Sequence, residues 1–345
     1  MKNVLILSPT QGAYGGIEAF VLELGRYLSE EKSFSVKVCL KLVKSAKIDE
    51  RLEEILRSSG LPYSVVQRAS PALFHEIATA DLVHAQNASP DIALMTRLSG
   101  GKLVQTIHNH LLDRGRIRTA SWKFGASLAH YRLYNSKFVQ QSWSTCDGPD
   151  SQVIPTVSQM AIDFSPIENR RGFVFVSRLI PNKGAETLIE AYQAANIDHN
   201  AWPLHILGDG PLRDSLEVLA RKSPGKIAIH GFVSERIKRE RIRAARWLVA
   251  PPNTREDMGL TPLEARANGI PVISSRDGGL PESAGDQALL CEPGNIDSLS
   301  TEIERATQMS SAEYLERSHA TMTSLETHLT PMSFYPKLYR TLLEA

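Results

Sequence analysis

The stretch GFVFVSRLIPNKGAETLIEAY occupies residues 172–192. It opens with an apolar run rich in valine and phenylalanine, which predicts a buried strand over residues 172–177. The residues from 185 onward have the spacing of a helix, and Arg178 and Lys183 lie on the loop between the two elements. The stretch therefore predicts a strand–loop–helix unit with two cations just beyond the carboxyl end of the strand.

The same alternation of short apolar runs and helical patterns extends over the whole chain. One helical pattern is IEAFVLELGRYLSEE, in which Ile17, Phe20, Val21, Leu24 and Leu28 are three or four positions apart. Such alternation predicts an α/β protein with parallel sheets and helices on both faces. The other predicted strands cover residues 4–8, 35–42, 82–86, 103–108, 131–135, 204–207, 226–230, 247–250 and 271–274.

A polar stretch without sustained periodicity, residues 156–171, separates two such series and predicts a linker. The chain is thus divided into residues 1–165, residues 166–328 and a C-terminal helical segment, 329–345, that packs back on the first domain. We expect two doubly wound, Rossmann-like domains that face each other across a cleft. Ligands of such sheets bind beyond the carboxyl ends of the strands.

The composition is that of an ordinary globular protein. Of 345 residues, 42% are hydrophobic and 22% charged, which excludes a disordered, collagen-like or wholly coiled-coil chain. The net charge of +1 argues against nucleic acid as a partner. Three separated cysteines indicate a reducing compartment. With no apolar stretch of about 18 residues, we expect a cytoplasmic protein, with peripheral contact at the inner face of the membrane left open.

Glycines cluster in the first strand–helix turn, SPTQGAYGGIEAF, at residues 8–20. Gly12, Gly15 and Gly16 allow the backbone to approach a ligand, and the helix that follows offers unpaired N–H groups to an anion. The spacing is not G-x-G-x-x-G, so the dinucleotide fingerprint is absent. A loop that needs glycine only to turn is the alternative interpretation.

Two carboxylates stand eight positions apart in REDMGLTPLEARANGIPVISS, residues 255–275. A helix that begins near Gly259 would point free N–H groups at a phosphate. Glu256 and Glu264 would flank that phosphate, and carboxylates accept strong hydrogen bonds from sugar hydroxyls. Arg178 and Lys183 suit a diphosphate. The alternative is that all four are ordinary surface charges.

The second half of the chain resembles the C-terminal domain of retaining glycosyltransferases of the GT-B fold, in particular glycosyltransferase family four. The first half resembles the N-terminal domain of that family through GGIE at 15–18 and VQTIHN at 104–109. The matching motifs of the second half are SRLIPNKG at 177–184, LGDGP at 207–211, HGFV at 230–233, EDMGLTPLEA at 256–265, NGIPVI at 268–273 and GGLPE at 278–282.

The resemblance implies transfer of a sugar, with retained anomeric configuration, from a UDP- or GDP-sugar to a glycan or lipid-linked acceptor. Such transfer would serve the synthesis of a cell-surface polysaccharide or glycoconjugate. Two other functions stay open. One is a sugar-nucleotide epimerase or hydrolase of the same fold, and the other is a non-catalytic nucleotide-sugar-binding protein.

The resemblance also implies a role for each matching residue. Arg178 and Lys183 would neutralise the leaving diphosphate, and Glu256 would hold hydroxyls of the donor sugar. Glu264 would bind the ribose, and His108 would contact the sugar near the reacting carbon. The other implied donor-binding groups are Gly15 and Gly16 at the phosphates, the backbone around Phe232 at the base, and the N–H groups of Met258, Gly259 and Leu260 at the sugar.

No metal or other cofactor is expected, because the sequence contains no Asp-x-Asp motif. His108 and His110 form a pair without a third ligand, which does not make a metal site. The preferred mechanism is front-face attack, in which the departing phosphate accepts the proton of the acceptor. A two-step covalent route stays open.

Residues 97–137 form a basic region interleaved with aromatic side chains, and its one acid is Asp113. This pattern predicts contact with an anionic membrane surface, and the alternative is an ordinary solvated face whose aromatic residues lie in the core. The basic stretch 236–246 is interpreted as an ordinary surface helix. The basic residues of the region are Arg97, Lys102, Arg114, Arg116, Arg118, Lys123, Arg132 and Lys137, and its aromatic residues are Trp122, Phe124, Tyr131 and Tyr134.

Overall fold

The computed structural model of the protein divides by its internal contacts into two compact units. Unit 1 comprises Met1–Gln159 and Leu329–Ala345, and unit 2 comprises Met160–His328. Part of the predicted linker, residues 156–161 and 165, lies outside the described residues. The structure describes residues 1–43, 46–144, 150–155, 162–164, 166–223, 226–326 and 329–345.

Unit 1 is built on a parallel sheet, in which seven strands are seen among the described residues. These strands are β1 (Lys2–Thr10), β2 (Phe34–Leu42), β3 (Tyr63–Gln67), β4 (Leu82–Gln86), β5 (Lys102–Ile107), β6 (Tyr131–Tyr134) and β7 (Ser151–Val153). Their order is β3-β2-β1-β4-β5-β6-β7. In register, Ile6 of β1 lies opposite Val38 of β2 and His84 of β4. The order reverses direction between β1 and β4, which is the switch point of a doubly wound sheet.

The helices of unit 1 connect these strands, and some of them begin at a side chain that caps the first turn. The carboxylate of Asp49 accepts a hydrogen bond from the N–H of Leu52, and the hydroxyl of Ser70 accepts one from the N–H of Leu73. The first five connecting helices are α1 (Gly16–Ser29), α2 (Glu50–Ser58), α3 (Pro71–Ala78), α4 (Pro90–Leu98) and α5 (Arg116–Ser127), and α6 (Lys137–Ser142) follows β6.

Unit 2 repeats the scheme on a second parallel sheet, with the order β10-β9-β8-β11-β12-β13. Its core packs Phe173, Phe175 and Trp247 of the sheet against Leu188 and Ile189. The strands are β8 (Arg171–Val176), β9 (Leu204–Leu207), β10 (Ile227–Ile229), β11 (Ala245–Ala250), β12 (Val272–Ser275) and β13 (Leu289–Cys291). The helices are α7 (Ala185–Ala194), α8 (Arg213–Arg221), α9 (Glu235–Ala244), α10 (Leu260–Ala267), α11 (Leu280–Ala284), α12 (Ile296–Gln308) and α13 (Ser311–Glu326).

The prediction of two α/β units with parallel sheets is confirmed. Three strands were not predicted, namely β3, β7 and β13. Both β7 and β13 contain three residues, which is too short for a periodic signal. β3 reads YSVVQ, and only Val66 in it is buried, so it lacks a continuous apolar run.

The C-terminal helix α14 (Phe334–Glu344) packs in the core of unit 1 through Tyr335 and Tyr339. The Tyr339 hydroxyl lies 2.6 Å from Nδ1 of His84, and Nε2 of His84 lies 2.7 Å from Oγ1 of Thr106. Burial lowers the pKa of His84 to about 3, and the neighbouring His108 adds to the effect. The imidazole is therefore neutral at physiological pH and ties α14 to β4 and β5. Within the described part of the chain, none of the helices is both long and apolar enough to cross a bilayer.

Candidate active site

A cavity of about 460 Å³ opens beyond the carboxyl ends of the unit 2 strands. Residues that follow β8 and β11 both line it, and the strand order reverses direction between these two strands. Its location is thus the one at which doubly wound sheets bind ligands. Seven of the residues singled out from the sequence line it, namely Arg178, Lys183, Phe232, Glu256, Met258, Gly259 and Leu260.

Lys183 and Glu256 meet directly at this cavity. The Lys183 ammonium lies 2.6 Å from Oε1 of Glu256, and both side chains are mostly buried. Lys183 ends a single 3₁₀ turn, Pro181–Lys183, after β8, whereas Glu256 lies on the loop that follows β11. The cation that suits a diphosphate is therefore neutralised by the carboxylate that suits a sugar.

Two glycines allow the close backbone packing of the loops that contain Lys183 and Glu256. Gly184 has a φ of +77°, and a Cβ there would lie 1.9 Å from the carbonyl oxygen of Pro251. Gly278 has a φ of +66°, and a Cβ there would lie 2.1 Å from the carbonyl oxygen of Glu256. The N–H of Gly279 donates a hydrogen bond to the same oxygen at 2.8 Å. These close backbone contacts place Lys183 and Glu256 through positions that only glycine can occupy.

Arg178 and Phe232 are more open to solvent than that ion pair. The Arg178 guanidinium is exposed, and it has no hydrogen bond or ion pair with any residue that the structure describes. Phe232, just after β10, is 63% exposed although it lines the cavity. An exposed aromatic ring and an exposed cation that line the same cavity suit a ligand with a planar ring and an anionic group.

The start of α10 differs in one detail from the expectation. Leu260 and Thr261 open the helix at the cavity. The N–H of Gly259, expected to face the donor sugar, instead donates a 3.1 Å hydrogen bond to Oγ of Ser283. Gly259 serves as the N-cap and has no side chain with which to cap the helix, so the Ser283 hydroxyl from α11 satisfies its N–H.

Glu264 lies behind the lining of the cavity and not in it. Its Oε1 is 2.8 Å from the ammonium of Lys238, which does line the cavity and also lies 2.7 Å from Oε2 of Glu235. Burial raises the pKa of the Glu264 carboxyl, and Lys238 opposes part of that rise. Lys238 and Glu235 belong to α9, which the sequence presented as an ordinary surface helix. No local signal marks Lys238, because its partner Glu264 is 26 residues away.

The site residues expected from unit 1 lie at the carboxyl ends of its strands. His108 directly follows β5 and is buried, with its Nε2 atom 2.8 Å from Oε1 of Gln86 at the end of β4. Gly15 is the N-cap of α1 and Gly16 its first residue. Glu18 in the first turn of that helix is buried. The end of α1 that bears the two glycines is therefore a helix N-terminus, as expected.

Among the described residues there is no cluster of three or more histidine, cysteine, aspartate or glutamate side chains that could hold a metal ion. The His108–His110 pair therefore has no third ligand within that part of the chain.

The basic region divides into an exposed part and a buried part. Ile117 and Phe124 of α5 are 88% and 55% exposed, and Arg116, Arg118 and Lys123 of the same helix are charged beside them. Arg132 and Tyr134 are buried and so do not belong to an exposed basic and aromatic face; the buried Tyr134 agrees with the alternative interpretation, in which aromatic residues of the region lie in the core. Both belong to β6, whose side chains pack under helices, and an Nη atom of Arg132 lies 3.4 Å from the carbonyl oxygen of Ala129.

A parallel sheet with this strand order and a cavity at its switch point defines a doubly wound α/β domain. Residues 161–320 match the family described as glycosyl transferases group 1, and residues 14–157 match glycosyltransferase family 4. The chain thus contains a glycosyl transferases group 1 domain and a glycosyltransferase family 4 domain, and the fold is GT-B.

Curated relatives cover part of the chain. A GDP-mannose-dependent alpha-(1-6)-phosphatidylinositol monomannoside mannosyltransferase of Mycolicibacterium smegmatis is 26% identical over 239 residues, 61% of this chain and 62% of that protein. O-antigen chain mannosyltransferase B of Escherichia coli is 30% identical over 139 residues, 39% of this chain and 36% of that protein. The chain thus spans about three fifths and about a third of the lengths of these two relatives.

Solved structures match over the full length. The Anabaena protein HepE in complex with UDP has a TM-score of 0.79 at 17% identity, with all of both chains covered. The lipopolysaccharide outer core galactosyltransferase WaaB in its apo form has a TM-score of 0.72 at 18% identity, with 99% of both chains covered. At this identity the likeness concerns the fold.

Proposed function

We propose that the protein is a retaining glycosyltransferase that moves a sugar from a UDP- or GDP-sugar to a glycan or lipid-linked acceptor. The observation that carries the proposal is that one cavity of unit 2 gathers Arg178, Lys183 and Glu256 beside the start of α10. Cations and a helix N-terminus suit a diphosphate, and a carboxylate suits the hydroxyls of a sugar. The proposed setting is synthesis of a cell-surface polysaccharide or glycoconjugate at the inner face of the membrane.

The proposed mechanism follows from where charge develops. As the glycosidic bond to the diphosphate breaks, the sugar becomes cationic and the diphosphate gains negative charge. Arg178 and Lys183 stabilise the diphosphate electrostatically, without a metal ion. The acceptor hydroxyl attacks the face that the diphosphate leaves, and a phosphate oxygen takes its proton, so the configuration is retained. The alternative is a two-step route through a covalent intermediate.

The remaining residues keep their implied roles within this proposal. Glu256 holds hydroxyls of the donor sugar, and Glu264 the ribose. His108 contacts the sugar near the reacting carbon, and Gly15 and Gly16 approach the phosphates. The backbone around Phe232 meets the base.

Both nucleotide bases have support. The mycobacterial relative is named as dependent on GDP-mannose, and HepE has been solved with UDP and with UDP-glucose. Neither choice follows from the cavity itself, so the donor is proposed as a class.

A lipid-linked acceptor is supported by the exposed part of the basic region. Ile117 and Phe124 offer apolar side chains at the surface of α5, and Arg116, Arg118 and Lys123 offer cations to anionic headgroups. Leu98 at the end of α4, which packs beside α5, is also exposed. An enzyme held at a membrane by this surface would meet its acceptor in the plane of the lipid.

The test has two stages. Thermal unfolding is first measured with a panel of UDP- and GDP-sugars, since a true donor stabilises the folded protein by mass action. Release of the nucleoside diphosphate from that donor is then followed with and without lipid and glycan acceptors, and the anomeric configuration of the product is determined by NMR. Transfer with retention supports the proposal.

Three results would contradict it in different ways. Equal release without any acceptor indicates a hydrolase or epimerase. Stabilisation by a nucleotide-sugar without turnover indicates a non-catalytic binding protein. An inverted product refutes retention while leaving transfer intact.

A further inference from the structure

Lys238 stands between the cavity and the second carboxylate of the Glu256–Glu264 pair. Lys238 lines the cavity, and its ammonium lies 2.8 Å from Oε1 of Glu264 and 2.7 Å from Oε2 of Glu235. Glu235 is three positions earlier on the same helix and largely exposed, whereas Glu264 lies on α10 and is 25% exposed. The ammonium therefore links α9 to α10 at the rim of the proposed nucleotide site.

The Glu264 carboxylate needs such a partner. Its second oxygen, Oε2, is buried and has no hydrogen-bond partner among the residues that the structure describes. Withdrawal from water favours the neutral acid over the carboxylate and raises the pKa of Glu264. The charged side chains that act on Glu264 all belong to α9. Lys238 and Arg239 lower the pKa of Glu264, and Glu235 raises it.

We propose that Lys238 is a positioning residue of the nucleotide site, which keeps the Glu264 side chain ionised and oriented so that it can accept hydrogen bonds from a nucleoside diphosphate. The inference rests on the proposed function of unit 2 as the donor-binding unit. Lys238 ties one carboxylate oxygen, and the other oxygen keeps unfilled acceptor capacity. Lys238 thus acts through Glu264, unlike Arg178 and Lys183, which are proposed to meet the phosphates themselves.

Loss of Lys238 should change the pH dependence of binding in a defined direction. A neutral side chain at this position removes the nearest cation, so the pKa of Glu264 rises further and its protonated form persists to higher pH. Binding that needs the carboxylate then weakens at acidic and neutral pH and recovers as pH rises. Lys238→Arg keeps the positive charge and should stay close to the wild-type pH profile.

The experiment is calorimetric titration of the full-length protein with UDP and with GDP across mildly acidic to mildly basic pH. We expect Lys238→Met to weaken binding at neutral pH by roughly tenfold, which corresponds to about 1.4 kcal/mol. Arg236→Met, a change of the same charge on an exposed ion pair of the same helix, is the matched control and should leave the affinity unchanged. Thermal unfolding of each variant checks that it is folded.

A double-mutant cycle separates positioning from direct contact. If Lys238 acts through Glu264, then Lys238→Met should cost nothing more in a Glu264→Gln background, and in that background Lys238→Met should no longer alter the pH profile of binding, which then reflects only the titration of the nucleotide phosphate and other groups. Equal losses in both backgrounds would mean that Lys238 touches the nucleotide itself, which overturns the inference. A Lys238→Met affinity with the wild-type value and pH profile overturns it as well.

The failure of the inference and that of the proposed function give different results. If the wild type binds neither UDP nor GDP, the proposed donor site is wrong and the inference falls with it. If Glu264→Gln weakens binding and Lys238→Met does not, the donor site stands and only the role of Lys238 is refuted.

Discussion

The Nζ atom of Lys183 lies 2.6 Å from Oε1 of Glu256, although 73 residues separate the two along the chain. The charge proposed to stabilise a leaving diphosphate is thus compensated by the carboxylate proposed to hold the sugar. A diphosphate that binds Lys183 has to share its ammonium with Glu256 or displace the Glu256 carboxylate from it. With the proposed roles, the ion pair would couple binding of the sugar to binding of the diphosphate.

We expect Glu256→Gln to bind a free nucleoside diphosphate more tightly while it turns over more slowly. The substitution removes both the competitor for Lys183 and a negative charge beside the phosphates. A partly buried ion pair of this kind is worth up to about 1 kcal/mol, so the affinity should rise by a factor of roughly two to five. The kcat should fall by roughly 10²-fold if the carboxylate acts on the developing charge of the sugar. Calorimetry and steady-state kinetics measure the two effects.

The matched control for that variant is Glu76→Gln, which breaks the 2.6 Å ion pair of Lys37 and Glu76 in unit 1. It should change neither quantity. Weaker nucleotide binding by Glu256→Gln would show that the ion pair organises the phosphate site and does not compete with it.

Arg178→Ala and Lys183→Ala should each weaken binding of UDP or GDP by roughly tenfold, since each loses a charge-assisted hydrogen bond. Arg178 pairs with none of the described residues, so Arg178→Ala removes only its contact with the nucleotide. Lys183→Ala also breaks the ion pair with Glu256 and leaves that carboxylate without its cation. Arg221→Ala, at an exposed position of α8, serves as the control. Unchanged calorimetric affinity in both site variants would refute the phosphate assignment.

Transfer activity should survive saturating EDTA. The sequence lacks an Asp-x-Asp motif, and the described residues include no metal-binding cluster. Arg178 and Lys183 are proposed to do electrostatically what a divalent cation does in other enzymes. Loss of turnover under EDTA that manganese or magnesium restores would overturn the metal-independent mechanism.

The protein should float with vesicles that contain anionic lipid and detach as salt rises, because the contact proposed for α5 is largely electrostatic. Replacing Arg116 and Arg118 by glutamate should abolish the flotation, and Ile117→Ser should weaken it at every salt concentration. Reversal of Arg236 and Arg239 on α9 is the comparison and should leave flotation intact. Flotation that does not depend on lipid charge would leave α5 as an ordinary solvated helix.

Gly278→Ala should destabilise the protein and lower nucleotide-dependent activity together. Its added methyl group would overlap the carbonyl oxygen of Glu256, and its φ of +66° is unfavourable for alanine. Gly60→Ala is the matched control, with a φ of +72° and no atom within 4 Å of the added carbon. Gly60→Ala should lower the free energy of unfolding by about 1–2 kcal/mol. Gly278→Ala should lower it by clearly more, because its methyl group also meets a backbone oxygen. Equal costs in chemical denaturation would show that Gly278 is needed for its backbone angle alone.

Much of the fold and of the unit 2 cavity followed from local patterns. Buried parallel strands are short apolar runs, and the loops after them converge at one edge of a sheet. For that reason Arg178, Lys183 and Glu256, each placed beyond a predicted strand, could be expected to meet. The three missed strands have little apolar periodicity, and Lys238 was missed because the pattern of α9 is that of an exposed helix.

The sequence by itself determined the α/β class, the two-unit organisation expressed in its strand pattern, and seven residues of the cavity lining. Only the tertiary structure decided which charged and hydrogen-bonding groups pair. Lys183 with Glu256, Lys238 with Glu264, and the N–H of Gly259 with the Ser283 hydroxyl each join segments distant along the chain. Burial of Arg132 and Tyr134 was decided in the same way. The physical reason is that periodicity reports the face of one element, whereas an ion pair depends on the packing of two elements to within an ångström.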